Sequence, residues 1–121
     1  MNFRFALPFL LLASPAYAVD FSQPILDEGK PLCMEETKGG ECPPEKVATL
    51  GRVIRQALYA SYPDEANLSG EDKYKRAEIA QAIAGAGDVK IKLEDRVLIK
   101  KLVGRFYNPM VVFHTWNMLE K

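Results

Sequence analysis

The sequence predicts a mainly α-helical fold, a compact domain of about four short helices with a minor β-hairpin or extended N-terminal element. Apolar residues recur with helical spacing in four segments after residue 44. Capping residues, prolines or glycines bound these segments, and a single short stretch alternates like a strand. The 121 residues are enough for one domain with a modest buried core.

Residues 1–18 have the three parts of a secretory signal peptide. Arg4 adds positive charge near the amino terminus, an apolar run covers residues 5–12, and small residues flank Tyr17 in a cleavage motif. We expect cleavage between Ala18 and Val19, and a mature protein that is periplasmic or secreted. The alternative is an amphipathic anchor or a buried first helix. The run is shorter than the roughly 20 residues that span a bilayer, so we expect no stable membrane anchor after processing.

Residues 19–44 are expected to form a disulfide-stapled arm or hairpin, or else a partly mobile arm. Prolines and glycines interrupt this segment too often for a long helix, and Asp27-Glu28-Gly29 is expected to turn between two short extended pieces. Cys33 and Cys42 are the only cysteines, with two glycines between them, which predicts one local disulfide. Closing a loop of about ten residues contributes on the order of 2–3 kcal/mol. A redox or metal pair usually shows C-x-x-C spacing and further ligands, which this chain lacks.

The helical domain, residues 45–121, is expected to begin with an amphipathic helix over residues 45–61. Its predicted apolar stripe is Val47, Leu50, Ile54, Ala57, Leu58 and Ser61, and its solvent side holds Arg52, Arg55 and Gln56. The spacing of Ser69 and Asp72 is that of a capping box, so a second helix is expected from Gly70 to a stop at Gly85. The predicted buried face of this helix is Tyr74, Ala77, Ala80, Ile83 and Ala84.

Residues 89–107 are predicted to form a short strand followed by a third helix. Apolar residues alternate with lysines over residues 89–93, which indicates a short strand or an extended connector. Glu94 and Asp95 are favourable at a helix start, and residues 93–107 are predicted to be helical. The predicted apolar stripe of this helix is Leu98, Ile99, Leu102, Val103 and Phe106.

A fourth helix is predicted from Pro109 to about Leu119, because Asn and Pro are favoured residues at the first positions of a helix. It is apolar on nearly all sides and is therefore expected to be buried, in the core or against a partner. We predict that Phe113 and Trp116 belong to the core. Val111 and Met118 are predicted to be exposed, which makes them candidate contacts with a partner.

The charge balance argues against nucleic acid as a partner. The leader holds one of the 16 basic residues and none of the 16 acidic residues, so the remaining chain has a net charge of −1. Nucleic-acid binding depends on clustered Lys and Arg that displace counterions, and no polybasic block for anionic lipid is present. We therefore expect a protein partner.

No residue pattern indicates an active site, a metal site or a cofactor. His114 is the only histidine, and a lone histidine in an apolar helix is expected to be a satisfied core or rim residue rather than a catalytic base. Four acids occupy residues 64–72, where a glycosidase-like pair or a calcium loop is conceivable. The spacing does not match a calcium loop, and capping and solvation explain the acids better.

Part of the chain, about residues 49–120, resembles a known group of proteins. The resemblance runs from Thr49-Leu50-Gly51-Arg52 through Tyr62-Pro63-Asp64-Glu65 to Ile99-Lys100-Lys101-Leu102-Val103-Gly104. These segments are similar to those of small uncharacterised helical proteins encoded in prophages. The resemblance implies a phage-derived helical domain without catalytic residues. The leader and the Cys33–Cys42 pair depart from that pattern and argue against a cytoplasmic role in virion assembly.

We expect a periplasmic or secreted non-enzymatic protein that binds another macromolecule. A second hypothesis is a small envelope enzyme or enzyme inhibitor that acts on cell-wall glycans through the acids of residues 64–72. A cleft that holds two of these acids beside Trp116 or Tyr62 would favour it. A third hypothesis is an immunity or superinfection-exclusion factor.

Export gives the first testable prediction. Protein purified from the envelope fraction is expected to have a mass that begins at Val19. The substitution Ala18→Trp is expected to stall processing, because the peptidase accepts small side chains at this position. Intact-mass spectrometry of both forms measures the outcome. Soluble cytoplasmic protein that retains Met1 would contradict export.

Overall fold

The computed structural model describes residues 17–35, 40–85 and 87–120, so most of the predicted leader lies outside the described residues. The helices are α1 (Leu50–Tyr59), α2 (Gly70–Ala82), α3 (Leu93–Phe106) and α4 (Pro109–Leu119). The strands are β1 (Tyr17–Asp20), β2 (Leu26–Asp27), β3 (Lys30–Pro31) and β4 (Asp88–Ile91). The described chain is mainly helical, which confirms the predicted fold class.

Helix α1 lies at the centre of the fold and packs against both α2 and α3. Its buried side chains belong to two clusters: Leu50, Ile54, Ala57 and Leu58 join the main core, and Val53 joins a smaller cluster under the N-terminal arm. The predicted span of 45–61 is too long. Residues 44–46 form a 3₁₀ turn, and Val47 is extended and forms a β-bridge with Cys33. Helix α1 therefore begins only at Leu50. Its N-cap is Thr49, whose side chain accepts a hydrogen bond from the Arg52 amide.

The predicted hairpin in the N-terminal arm is confirmed. Strands β2 and β3 pair in antiparallel fashion around Glu28 and Gly29, whose φ angles are 52° and 81°. Two successive positive φ angles are characteristic of tight hairpin turns, in which glycine carries no steric penalty. Cys33 and Cys42 lie at disulfide distance, with their Cα atoms 5.7 Å apart, as predicted.

The arm is attached to the helical core by strand pairing and by buried side chains. Strand β1 pairs with β4 in antiparallel fashion, with Val19 opposite Val89. Val19 and Phe21 are buried in the main core, and the Ile25 amide donates a 2.8 Å hydrogen bond to the Ala48 carbonyl. The predicted cleavage position, between Ala18 and Val19, falls within β1.

Helix α2 begins at Gly70 as predicted, with the Ser69 hydroxyl accepting a hydrogen bond from the Asp72 amide at 3.0 Å. It ends at Ala82 rather than at Gly85. The predicted buried face is partly wrong: Tyr74 is 71% exposed, whereas Arg76 is only 7% exposed. Arg76 lies on the same side of the helix as the buried Ile79, Ala80 and Ile83, and a carboxylate from the preceding loop pairs with its guanidinium.

Helices α3 and α4 start and end close to the predicted positions. Ile99, Leu102 and Val103 of α3 are fully buried, but Phe106, which was predicted to share their stripe, is 45% exposed. The Asn108 side chain accepts a hydrogen bond from the Val111 amide at 3.0 Å and so caps α4. Within the described residues, no helix combines the length and apolar character needed to cross a bilayer.

Gly51 allows a close contact between the arm and α1, and this contact leads to a prediction about stability. A Cβ at Gly51 would lie 3.0 Å from the Phe21 carbonyl oxygen, which already accepts a hydrogen bond from the Gly51 amide. Gly51→Ala is therefore expected to lower the free energy of unfolding by about 1–3 kcal/mol, although alanine normally favours helix. Urea denaturation measures the change.

Gly70→Ala serves as the control, because an added Cβ there meets no atom within 4 Å. This variant is expected to be as stable as the wild type or slightly more stable. Equal stabilities for Gly51→Ala and Gly70→Ala would show that the contact between Phe21 and α1 is looser than described.

Candidate functional site

Helix α4 presents an exposed apolar surface formed by Met110, Phe113 and Trp116, which we call the α4 ridge. These residues are 41%, 62% and 37% exposed, and their three-residue spacing keeps them on one side of the helix. Thr115 and Leu119, on the other side, are fully buried. The helix contains no Asp, Glu, Lys or Arg, so apolar contact is the main interaction that its exposed side offers.

The predicted orientation of α4 is wrong. Phe113 and Trp116 were predicted to lie in the core and are exposed, whereas Val111 and Met118 were predicted to be exposed and are partly buried against the core. The physical reason is that α4 carries apolar side chains on nearly all sides, so its periodicity did not specify the inward face. Val111 and Met118 are therefore packing residues, and the ridge replaces them as the candidate contact surface.

Trp116 is held against α3 by three interactions. Its indole nitrogen donates a hydrogen bond to the Lys100 carbonyl at 3.1 Å, and its ring lies so close to Gly104 that a Cβ there would be 3.2 Å away. The Lys100 ammonium lies 4.7 Å from the ring centroid and also pairs with Glu120, which lowers the pKa of that carboxyl. The ridge thus contains a fixed indole beside the largely exposed ring of Phe113. Fixed aromatic side chains of this kind contribute disproportionately to protein binding.

His114 connects α4 to the β2–β3 hairpin. Its Nε2 atom lies 2.9 Å from Oδ1 of Asp27, and both side chains are partly buried. The imidazole also packs edge-on against Phe113, with ring centroids 5.3 Å apart. This arrangement agrees with the prediction of a satisfied core or rim residue and places His114 at the rim, where it links α4 to the hairpin.

Arginines pair with the two acids of the loop before α2. The guanidinium of Arg76 binds Glu65 through two hydrogen bonds of 2.7 and 2.8 Å, and Arg105 pairs with Asp64. These bonds hold the pKa of Glu65 and of Asp64 below the ordinary carboxyl range. Arg105 also lies over the Tyr62 ring, 4.6 Å from its centroid. The network closes the loop onto α2 and α3.

Two of the acids predicted as a possible catalytic pair, Asp64 and Glu65, line one shallow hollow of about 350 Å³, but neither Tyr62 nor Trp116 lines that hollow. A hollow of about 460 Å³ adjoins Tyr62, but Glu65 is the only acid of residues 64–72 that lines it. Glu71 and Asp72 lie in the first turn of α2, where they stabilise the helix start. A general acid at neutral pH requires a raised pKa, and the pKa of Glu65 is lowered.

A second surface was missed by the sequence analysis. A shallow groove of about 680 Å³, which we call the Arg55 groove, runs between the outer side of α1 and the 3₁₀ turn at residues 44–46. Its lining includes cations, carboxylates and aromatic rings: Lys46, Arg52, Arg55, Glu35, Glu45, Tyr59 and Phe106. Arg55 was assigned to a solvated face. Its four-residue spacing from Tyr59 places a cation beside an aromatic ring on the helix, and this spacing was the feature of the sequence that could have indicated the groove.

Among the described residues, no group of three or more His, Cys, Asp or Glu side chains is close enough to hold a metal ion. No protein family, curated protein or solved structure matches this chain. The resemblance to prophage-encoded helical proteins therefore stays a prediction.

The Glu65–Arg76 pair gives a prediction about pH. A carboxyl whose pKa is lowered by folding contributes stability above its unfolded pKa, and this contribution is lost as pH falls through the folded pKa. Glu65→Gln is therefore expected to cost about 1–2 kcal/mol at pH 7. The cost is expected to shrink in the acidic range below the ordinary carboxyl pKa of 4.5. Urea denaturation at several pH values measures the difference between the two proteins.

The matched control is Asp64→Asn, which removes a carboxylate that is 70% exposed. Its effect at pH 7 is expected to be smaller, because water screens an exposed ion pair. A stability difference between wild type and Glu65→Gln that stayed constant from pH 7 to pH 3 would contradict the assignment of charge pairing to Glu65.

Proposed function

We propose that this protein is a periplasmic or secreted, non-enzymatic binding protein whose α4 ridge contacts another protein. The observation that carries the proposal is the exposure of Met110, Phe113 and Trp116 on one side of a helix that has no Asp, Glu, Lys or Arg. Large apolar side chains that share an exposed surface favour association, because their burial removes apolar area from water.

The compartment in this proposal rests on the sequence of residues 1–18 and on the cysteines. The Cys33–Cys42 pair lies at disulfide distance, and disulfides persist in oxidising compartments such as the periplasm. Both features support export, and the N-terminal mass described above tests it directly.

Of the two other hypotheses, the enzyme is an alternative to this proposal, and the immunity or exclusion factor is compatible with it. An enzyme that acts on cell-wall glycans through the acidic loop gains no support from Asp64 and Glu65, because such an enzyme needs one general acid with a raised pKa and arginines lower the pKa of both carboxyls. An immunity or superinfection-exclusion factor is a special case of the binding proposal, in which the partner is an incoming toxin or a phage component. The same surface would serve that role.

The substitution Phe113→Ser tests the ridge. Phe113 is 62% exposed, so the variant is expected to remain folded, with a stability change within about 0.5 kcal/mol. Its affinity for a partner is expected to fall about tenfold or more, because exposed aromatic anchors dominate binding energy. The measurement is capture of periplasmic proteins by immobilised wild-type and variant protein, followed by titration of the captured partner.

Tyr74→Ser is the matched control, since Tyr74 is 71% exposed but belongs to α2. The partner should bind this control as tightly as it binds the wild type. Loss of binding in both variants, or in neither, would contradict the assignment of the ridge. Capture of a second copy of the chain alone would replace the proposed partner with self-association.

A further inference from the structure

The predicted cleavage position lies in a strand whose backbone is paired. In the register of β1 and β4, Ala18 lies opposite Lys90 and Val19 lies opposite Val89. The bond between Ala18 and Val19 is therefore part of an antiparallel ladder. Proteolysis of native proteins is concentrated at exposed loop tips and chain ends. A paired strand is a poor substrate, because a peptidase can act on it only after it has opened.

The residues that follow this bond are held in the core. Val19 and Phe21 are 5% and 2% exposed, and both belong to the main core cluster. The Phe21 carbonyl accepts a hydrogen bond of 2.8 Å from the Gly51 amide, and the Gln23 carbonyl accepts one of 2.9 Å from the Leu50 amide. Moving this segment into a peptidase cleft would break these contacts and return two apolar side chains to water.

We propose that folding of this domain closes its own processing site, so that signal peptidase removes the leader only while β1 is unpaired. The inference rests on the proposed export, because it takes the bond between Ala18 and Val19 as the site of cleavage. Water hydrolyses this bond in the peptidase and leaves a carboxylate at Ala18 and an ammonium at Val19.

The closure makes processing depend on the state of the chain. Once β1 has paired with β4, the bond is accessible only in a rare open state, and the rate of cleavage follows the population of that state. A precursor that folds before it is processed therefore retains its leader, including the apolar residues 5–12. The fold thus acts as a gate on the release of the mature protein.

The experiment compares two full-length precursors with identical leaders. One is the wild type, and the other is Leu102→Asp, which is expected to be unfolded because Leu102 is fully buried and a charge there has no partner. Circular dichroism verifies both states. Purified signal peptidase in detergent micelles is added, and the readout is the rate at which a mass that begins at Val19 appears. We expect the wild-type precursor to be processed at least about 100-fold more slowly than Leu102→Asp.

Two further variants, which start from folded precursors, test the gate without unfolding the protein. Gly51→Ala adds a Cβ that presses on the Phe21 carbonyl, one residue beyond β1, so the strand is expected to open more often. Its processing is expected to be about tenfold faster than that of the wild type. Gly70→Ala is the matched control, because its added Cβ meets no atom within 4 Å. This control is expected to be processed at the wild-type rate.

Three outcomes would overturn the proposal. Equal processing of the wild type and Leu102→Asp would show that the folded chain leaves the bond accessible, and the export proposal would stand. Equal processing of Gly51→Ala and Gly70→Ala would show that the contact of the arm with α1 does not hold the strand closed. If Leu102→Asp yielded no mass that begins at Val19, the cleavage position would be wrong, and the export proposal would fall together with this inference.

Discussion

The burial of α1 on two sides is the constraint on which the rest of the structure depends. One side packs against α2 and α3, and Val53 packs beneath the N-terminal arm. Gly51 allows a further contact with the arm, since its missing side chain lets the Phe21 carbonyl approach the helix backbone. The arm is therefore part of the folded core. The disulfide then closes a loop whose first end is already placed, because backbone hydrogen bonds join Leu32 and Met34 to the segment before α1.

Local signals in the sequence predicted the elements well, because their physical causes are local. The caps at Ser69 and Asn108 and the turn at Gly29 each act within a few residues, and the structure places an element boundary at each of them. Orientation was harder to predict. On α2, the ion-pair partner of the buried Arg76 is Glu65, which lies outside the helix. The inward side of α4 depends on the shape of a core that is built from other elements.

The candidate sites were also hard to predict, because they depend on how the helices are oriented. Phe113 and Trp116 were predicted to lie in the core, since large aromatic side chains are usually buried. Arg55 was assigned to water, because a charged residue on the polar side of an amphipathic helix is normally solvated. The groove beside Arg55 forms because the 3₁₀ turn and Phe106 lie on either side of the outer face of α1, which the sequence does not reveal. In contrast, the expectation that His114 is a satisfied core or rim residue came from its isolation in the sequence, and its place at the rim comes from the contact with Asp27.

The pairing of β1 with β4 has a consequence for the order in which the chain can fold. The first strand described has its partner near residue 90, beyond two of the four helices. A chain that emerges amino end first, from a ribosome or through a narrow pore, must therefore wait with Val19 and Phe21 in water until β4 arrives. Long-range closures of this kind are slow, and chaperones bind chains during such delays. The amino-terminal strand, made first, thus reaches its final place only after α1 and α2 have emerged.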